Sequence, residues 1–186
     1  RWWRFECWKF KFSRKPTVSL RSFITTGHFG NLHACWTRQQ LEAEFGPPEA
    51  HGGGSRKHPY PTIWKYGDIE FFFEQYNRNG TMHMVFLDAF TVPSGWGQLV
   101  VEPWEISNRL THKDGETLLR NNEIAYEIVK SPDPDCIDLL TESGVTLQFV
   151  VNQPDDCSFP VGLFAVSKQL GNNPERLANN SQITKP

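Results

Sequence analysis

The residues of this 186-residue chain best suited to hold an anion lie in one loop, Gly52, Gly53, Gly54, Ser55, Arg56 and Lys57, flanked by His51 and His58. Consecutive glycines let backbone N–H groups turn toward a phosphate, and Arg56 and Lys57 would add positive charge. The spacing is not that of a P-loop, and the loop leads into a strand rather than a helix, so no helix N-terminus would back the bound charge. Asp68 and Glu70 follow on one strand face. With Ser55, Arg56 and Lys57 they make the ligand-binding set that an enzyme acting on a phosphorylated substrate would use. General acid–base work also needs a cleft that perturbs a pKa. His51, His58 and His83 are scattered, with neither an HxH nor an HExxH pair, so no metal ligand is assigned. His28, His33 and Cys35 have no GxSxG or papain-like motif beside them. The expectation is a protein with no catalytic residue, no metal and no cofactor.

Charge points to a binding role instead. The formal net charge is −2, but residues 121–157 carry Glu123, Glu127, Asp133, Asp135, Asp138, Glu142, Asp155 and Asp156 against Lys130 alone. Such a field repels phosphate backbones and steers a basic protein toward the surface. Asp133, Asp135, Asp138, Glu142, Asp155 and Asp156 are therefore the expected partner contacts. Trp96 and Trp104, in turn-rich sequence, are the expected aromatic anchors. Trp64 and Tyr66 share a strand face, and burial as core is the expected fate of such large rings. The four cysteines, Cys7, Cys35, Cys136 and Cys157, fit neither a CxxC pair nor a zinc knuckle, which suits a reducing, cytoplasmic setting.

Residues 1–35 have the opposite charge, with seven Lys or Arg against Glu6. Trp2, Trp3, Phe5, Trp8, Phe10 and Phe12 are interleaved with Arg4, Lys9 and Lys11, a pattern that would suit nucleic-acid stacking and phosphate contacts if it were functional. The first methionine is Met82, and the arm is expected to stand outside the fold, as an extension or tail. Leu32, His33, Ala34 and Cys35 resemble a lipoprotein cleavage box. Arg21, Gly27, His28, Gly30 and Asn31 break the apolar run that box requires, so lipidation is not expected. No stretch is long and apolar enough for a membrane-spanning helix.

From Thr37 the patterning specifies elements. Thr37 and Gln40 form a capping box, Leu41 and Phe45 share a helical face, and Gly46, Pro47 and Pro48 stop the helix. Thr62–Tyr66, a turn at Gly67 and Asp68, and Ile69–Glu74 read as a hairpin, followed by a strand over Thr81–Asp88. Ile69, Phe71 and Phe73 give one apolar face, while Glu70 and Phe72 make the other mixed. Thr111 leads into a second helix with Leu118 and Leu119 inward, ended by Asn121 and Asn122. Strands follow near 125–130, 136–141, 145–151 and 162–168. The recurrence of helix and meander predicts an α+β protein of two similar units, at 36–90 and 104–170, joined by a connection at 91–103 and followed by a loose tail at 171–186.

The runs Thr37–Pro48 (TRQQLEAEFGPP), Ser55–Lys57 and Ile63–Phe73 (IWKYGDIEFFF) resemble an uncharacterised family of small bacterial cytosolic proteins. In that family a TREQ-like helix start, a GPP stop, an SRK loop and a WKYGD hairpin occur in this order. AYEIV at 125–129 and TESGVTLQF at 141–149 are similar to its carboxy-terminal half. A short helix stopped by GPP and followed by a meander is also similar to the SmpA/BamE fold and to tandem-repeat β-lactamase inhibitor proteins. That resemblance implies a protein-binding role and, in its concrete form, an immunity or antitoxin-like inhibitor of a basic partner. It supplies no activity of its own.

Overall fold

The computed structural model describes residues 16–33, 35–57, 59–74, 80–88, 95–152 and 161–170. In chain order these form β1 (Thr17–Ser19), α1 (Leu20–Thr26), α2 (Arg38–Phe45), β2 (Ala50–Gly52), β3 (Ile63–Tyr66), β4 (Ile69–Phe73), β5 (Met82–Asp88), β6 (Val100–Glu102), α3 (His112–Asn121), β7 (Tyr126–Lys130), β8 (Cys136–Thr141), β9 (Val145–Val150) and β10 (Gly162–Gln169). The class is α+β, with three helices and a large antiparallel sheet among the described residues.

Local chemistry sets the helix ends. The Thr37 hydroxyl accepts from the Gln40 N–H while the Gln40 side chain accepts from the Thr37 N–H, closing the capping box of α2. Thr111 and Asp114 repeat this at α3, where the hydrogen bonds from Thr111 hold the Asp114 carboxyl below its ordinary pKa. Each box satisfies two orphan donors of the first turn. The Gly46 N–H closes α2 on Glu42 O at 2.8 Å before Pro47 and Pro48 prevent continuation.

Strands run β2-β3-β4-β5-β10-β9-β8-β7 across one eight-stranded sheet. Helix followed by four strands thus occurs twice along the chain, and the two meanders meet where β5 pairs β10, antiparallel, with Leu87 opposite Val166. One cross-sheet row runs Tyr66, Ile69, Leu87, Val166, Leu147, Leu139, every member buried. All three helices lie on this inner face. Phe45 of α2 stacks on Phe71 at 6.0 Å between ring centroids, and Gly115 lets α3 approach the Phe149 ring too closely for any side chain at that position. α1 is held by Ser143 Oγ donating to Ile24 O at 2.7 Å and Lys168 Nζ donating to Gly27 O at 3.0 Å. Burial lowers the Lys168 pKa, yet the ammonium stays hydrogen-bonded, with a second acceptor in Ser143 O at 2.9 Å.

Two sequence expectations are corrected. Residues 16–33 belong to the fold: Leu20, Phe23, Ile24, Phe29 and Leu32 are buried, and Phe29 packs edge-on against Phe23 and Phe71. The spacing Leu20, Phe23, Ile24 is one helical face, and burying three such side chains contributes roughly 1.5–3 kcal/mol each. The 91–103 connection contains β6, which pairs β1 in parallel, Val18 opposite Val101. Residues 1–15 and the expected tail 171–186 lie outside the described residues.

Candidate functional site

The sheet face opposite the helices is built by strand alternation. With Ile69, Phe71, Phe73, Val85 and Leu87 committed to the core, Glu70, Phe72, Met84, Phe86 and Asp88 must project the other way. A row on this outer face runs from Lys65 and Glu70 through Phe86, Ser167, Thr146 and Leu140 to Glu127, one residue per strand. At its centre Phe86 stands edge-on to Phe72 at 6.3 Å and to Phe164 at 6.5 Å between centroids. These rings span β4, β5 and β10, the junction of the two meanders, and each is half-buried. Lys65 and Glu70 pair at 3.9 Å, and at that length and exposure the pair adds little stability.

The acidic flank begins two strands from β10. Ala165, Gln148 and Asp138 lie opposite one another on β10, β9 and β8, about 10 Å end to end by ordinary strand spacing. Asp138 is 7% exposed and its Oδ1 has no hydrogen-bond partner. Burial raises its pKa, with the nearby Asp133 adding to the shift and hydrogen bonds from Gln148 and Ser131 opposing it. Asp133 and Asp135 form a side-chain-capped turn, the Asp135 N–H donating to Asp133 Oδ1 at 3.0 Å. Cys136 adjoins all three carboxylates, and burial followed by those charges pushes its thiol up to about 11. A protonated thiol of this kind is a poor nucleophile and a poor metal ligand.

The other expected contacts are dispersed. Trp96 is 48% exposed but sits beside the end of α2, where Gln98 N donates to Phe45 O. Trp104 packs against the hydrophobic core. Glu142 is exposed in the β8–β9 turn. Asp155 and Asp156 lie outside the described residues. Trp64 packs partly buried against the core, and Tyr66 is fully buried, its hydroxyl donating to Gly46 O at 2.8 Å. The expected group of acids and tryptophans is therefore not one surface: Trp104 and Asp138 are taken up by packing.

The glycine loop borders an open hollow of about 380 Å³ lined by His51, Gly52, Gly53, Gly54, Ser55, Pro59 and Pro61. Arg56 and Lys57 are exposed beside it. Arg38 holds its exit, with Nε and Nη2 donating to Pro61 O at 2.9 and 2.7 Å and the guanidinium 4.5 Å from the centre of the Phe73 ring. Asp68 lies at the β3–β4 turn, the opposite end of β3 from this loop, so the fold does not bring Asp68 to Ser55, Arg56 and Lys57. Among the described residues no three His, Cys, Asp or Glu side chains converge as metal ligands. His83 is half-buried on β5, and burial lowers its pKa against the opposing pull of Glu74.

Fold and face together define an α+β protein with helices on one side of a broad antiparallel sheet and an aromatic and acidic surface on the other. No family model and no curated protein matches this sequence. Among solved structures it is similar to a DUF4309 family protein (YjgB) from Bacillus subtilis, at 18% identity and a TM-score of 0.37, covering 73% of this chain and 78% of that one. At that TM-score the likeness carries no argument about activity, and it does not confirm the resemblance to SmpA/BamE or the inhibitor proteins. Among the described residues no helix is long and apolar enough to cross a membrane.

Proposed function

We propose that this protein is a non-enzymatic, cytosolic protein-binding module that grips a basic partner on the outer sheet face, in its concrete form an immunity or antitoxin-like inhibitor. The observation that carries this reading is the row Phe72, Phe86 and Phe164 across the sheet centre, on the face away from all three helices. Aromatic rings held by a sheet are rigid and lose little entropy on contact, which is why such residues dominate binding energies. Glu70 lies beside this row, while Glu127, Asp133 and Asp135 lie at the β7–β8 side of the same sheet, beyond β9, and favour a cationic surface there. The partner's apolar anchor would seat on the rings while its basic residues face the flank.

The test is capture of a partner from cell extract, followed by affinity measurement with both proteins purified. Phe86→Asp should weaken binding by at least about thirtyfold, the effect of losing one central anchor of about 2 kcal/mol. Asp133→Lys with Asp135→Lys should slow association and reduce its salt dependence. Affinity unmoved by Phe86→Asp, or a captured partner with no basic surface, would refute the assignment.

A further inference from the structure

Among the described residues the outer edge of β7 is unpaired and self-complementary, and we infer that two copies of this chain associate there by antiparallel β7–β7 pairing. Backbone hydrogen bonding fixes which groups of β7 point outward. Glu142 N donates to Ala125 O at 3.0 Å, directly opposite in the register that places Tyr126 against Thr141. In an antiparallel ladder bonded and non-bonded pairs alternate, so Glu127 and Val129 bond to β8 while Tyr126, Ile128 and Lys130 turn their N–H and C=O groups to the free edge. The β8–β9 ladder agrees: Val151 N donates to Asp135 O at 2.8 Å, which commits Ile137 and Leu139 to β9 and leaves Asp138 and Leu140 for β7.

Three outward residues at alternate positions can satisfy one another completely in one two-fold arrangement. Ile128 faces Ile128 of the second copy, and Tyr126 faces Lys130 in both directions, making six backbone hydrogen bonds. A slip by two residues leaves outward groups unpaired, and a slip by one reverses the faces. Side chains favour the same register. Ile128 is 61% exposed and ends the buried inner row that runs from Tyr66 to Leu139; against its own copy it continues that apolar row across the junction. Tyr126 OH donates to Glu116 Oε2 at 2.8 Å, so the incoming Lys130 lies along the Tyr126 ring with a carboxylate at its far end. Burial, then Glu116, raises the Tyr126 pKa, with Arg120 opposing. Glu127 and Lys130 would discourage an arbitrary apolar strand from adding to this edge.

A five-residue strand pair buries less than the ~1,000 Å² of a stable interface, so the dimer is weak and must be sought between about 1 μM and about 1 mM. Sedimentation equilibrium of the full chain over this range should show a reversible monomer–dimer equilibrium. Ile128→Lys, at an exposed position that costs the fold little, should raise its dissociation constant at least about tenfold. Lys130→Glu should weaken the dimer, and combining it with Glu116→Lys should restore it. A monomer throughout the range, a dimer indifferent to Ile128→Lys, or a charge swap that fails to restore association would each overturn the inference.

Discussion

Replacing Asp138 by asparagine should stabilise the protein at neutral pH and do little in acid. The carboxyl is 7% exposed, Oδ1 lacks a partner, and burial together with Asp133 raises its pKa. An aspartate raised above its unfolded value of about 3.9 binds its proton more tightly when folded, so stability falls as pH rises from that value through the folded pKa. Above both values the whole cost is present; below both it is absent. A tenfold change in proton affinity corresponds to about 1.4 kcal/mol. Asparagine keeps the shape and removes the charge, so the expected gain near pH 7 is roughly 1–2 kcal/mol. For a chain of this size that is roughly 2–8 °C in Tm. Urea unfolding of both proteins at about pH 7 and about pH 4 measures it. An equal gain at both pH values, or a loss at neutral pH, would refute the electrostatic reasoning.

Two further substitutions test the inner face. Gly115→Ala, which in an exposed helix would help, should instead destabilise by about 1–3 kcal/mol, because the new methyl overlaps the Phe149 ring; equilibrium denaturation checks the sign. Phe23→Ala should cost about 3–5 kcal/mol, the loss of a fully buried ring packed 5.1 Å from Phe29, whereas a change of less than about 0.5 kcal/mol would return α1 to the status of an appendage.

Much of the sheet was legible because its signals are local. Alternation in Ile69–Phe73 and Val145–Val150, the turns at Gly67 and Gly144, and the caps at Thr37 and Thr111 each depend on a few adjacent residues, and all became the expected elements. α1 also carries a local signal, Leu20, Phe23 and Ile24, but seven residues give barely two turns of periodicity, and the basic aromatic run before it obscures them. β2 is three residues entering a glycine loop, and β1 and β6 exist only through each other, across a separation no short pattern encodes. The candidate site divides in the same way. Alternation made Phe72 an outer-face residue, but only the pairing of β5 with β10 sets Phe164 beside Phe86. Acidity in 121–157 was plain from composition, whereas the burial of Asp138 depends on its register with Gln148 and the turn at Asp133.

Hydroxyl-radical footprinting of the complex with the purified captured partner tests the central claim most directly, since it reads side-chain access at each position. Met84, Phe72, Phe86 and Phe164 should lose reactivity when the complex forms, while Trp96 and Tyr60, exposed elsewhere on the molecule, should keep theirs. Unchanged reactivity across the phenylalanine row, with protection at Trp96 or around the glycine loop, would contradict the account and move the binding surface off the sheet.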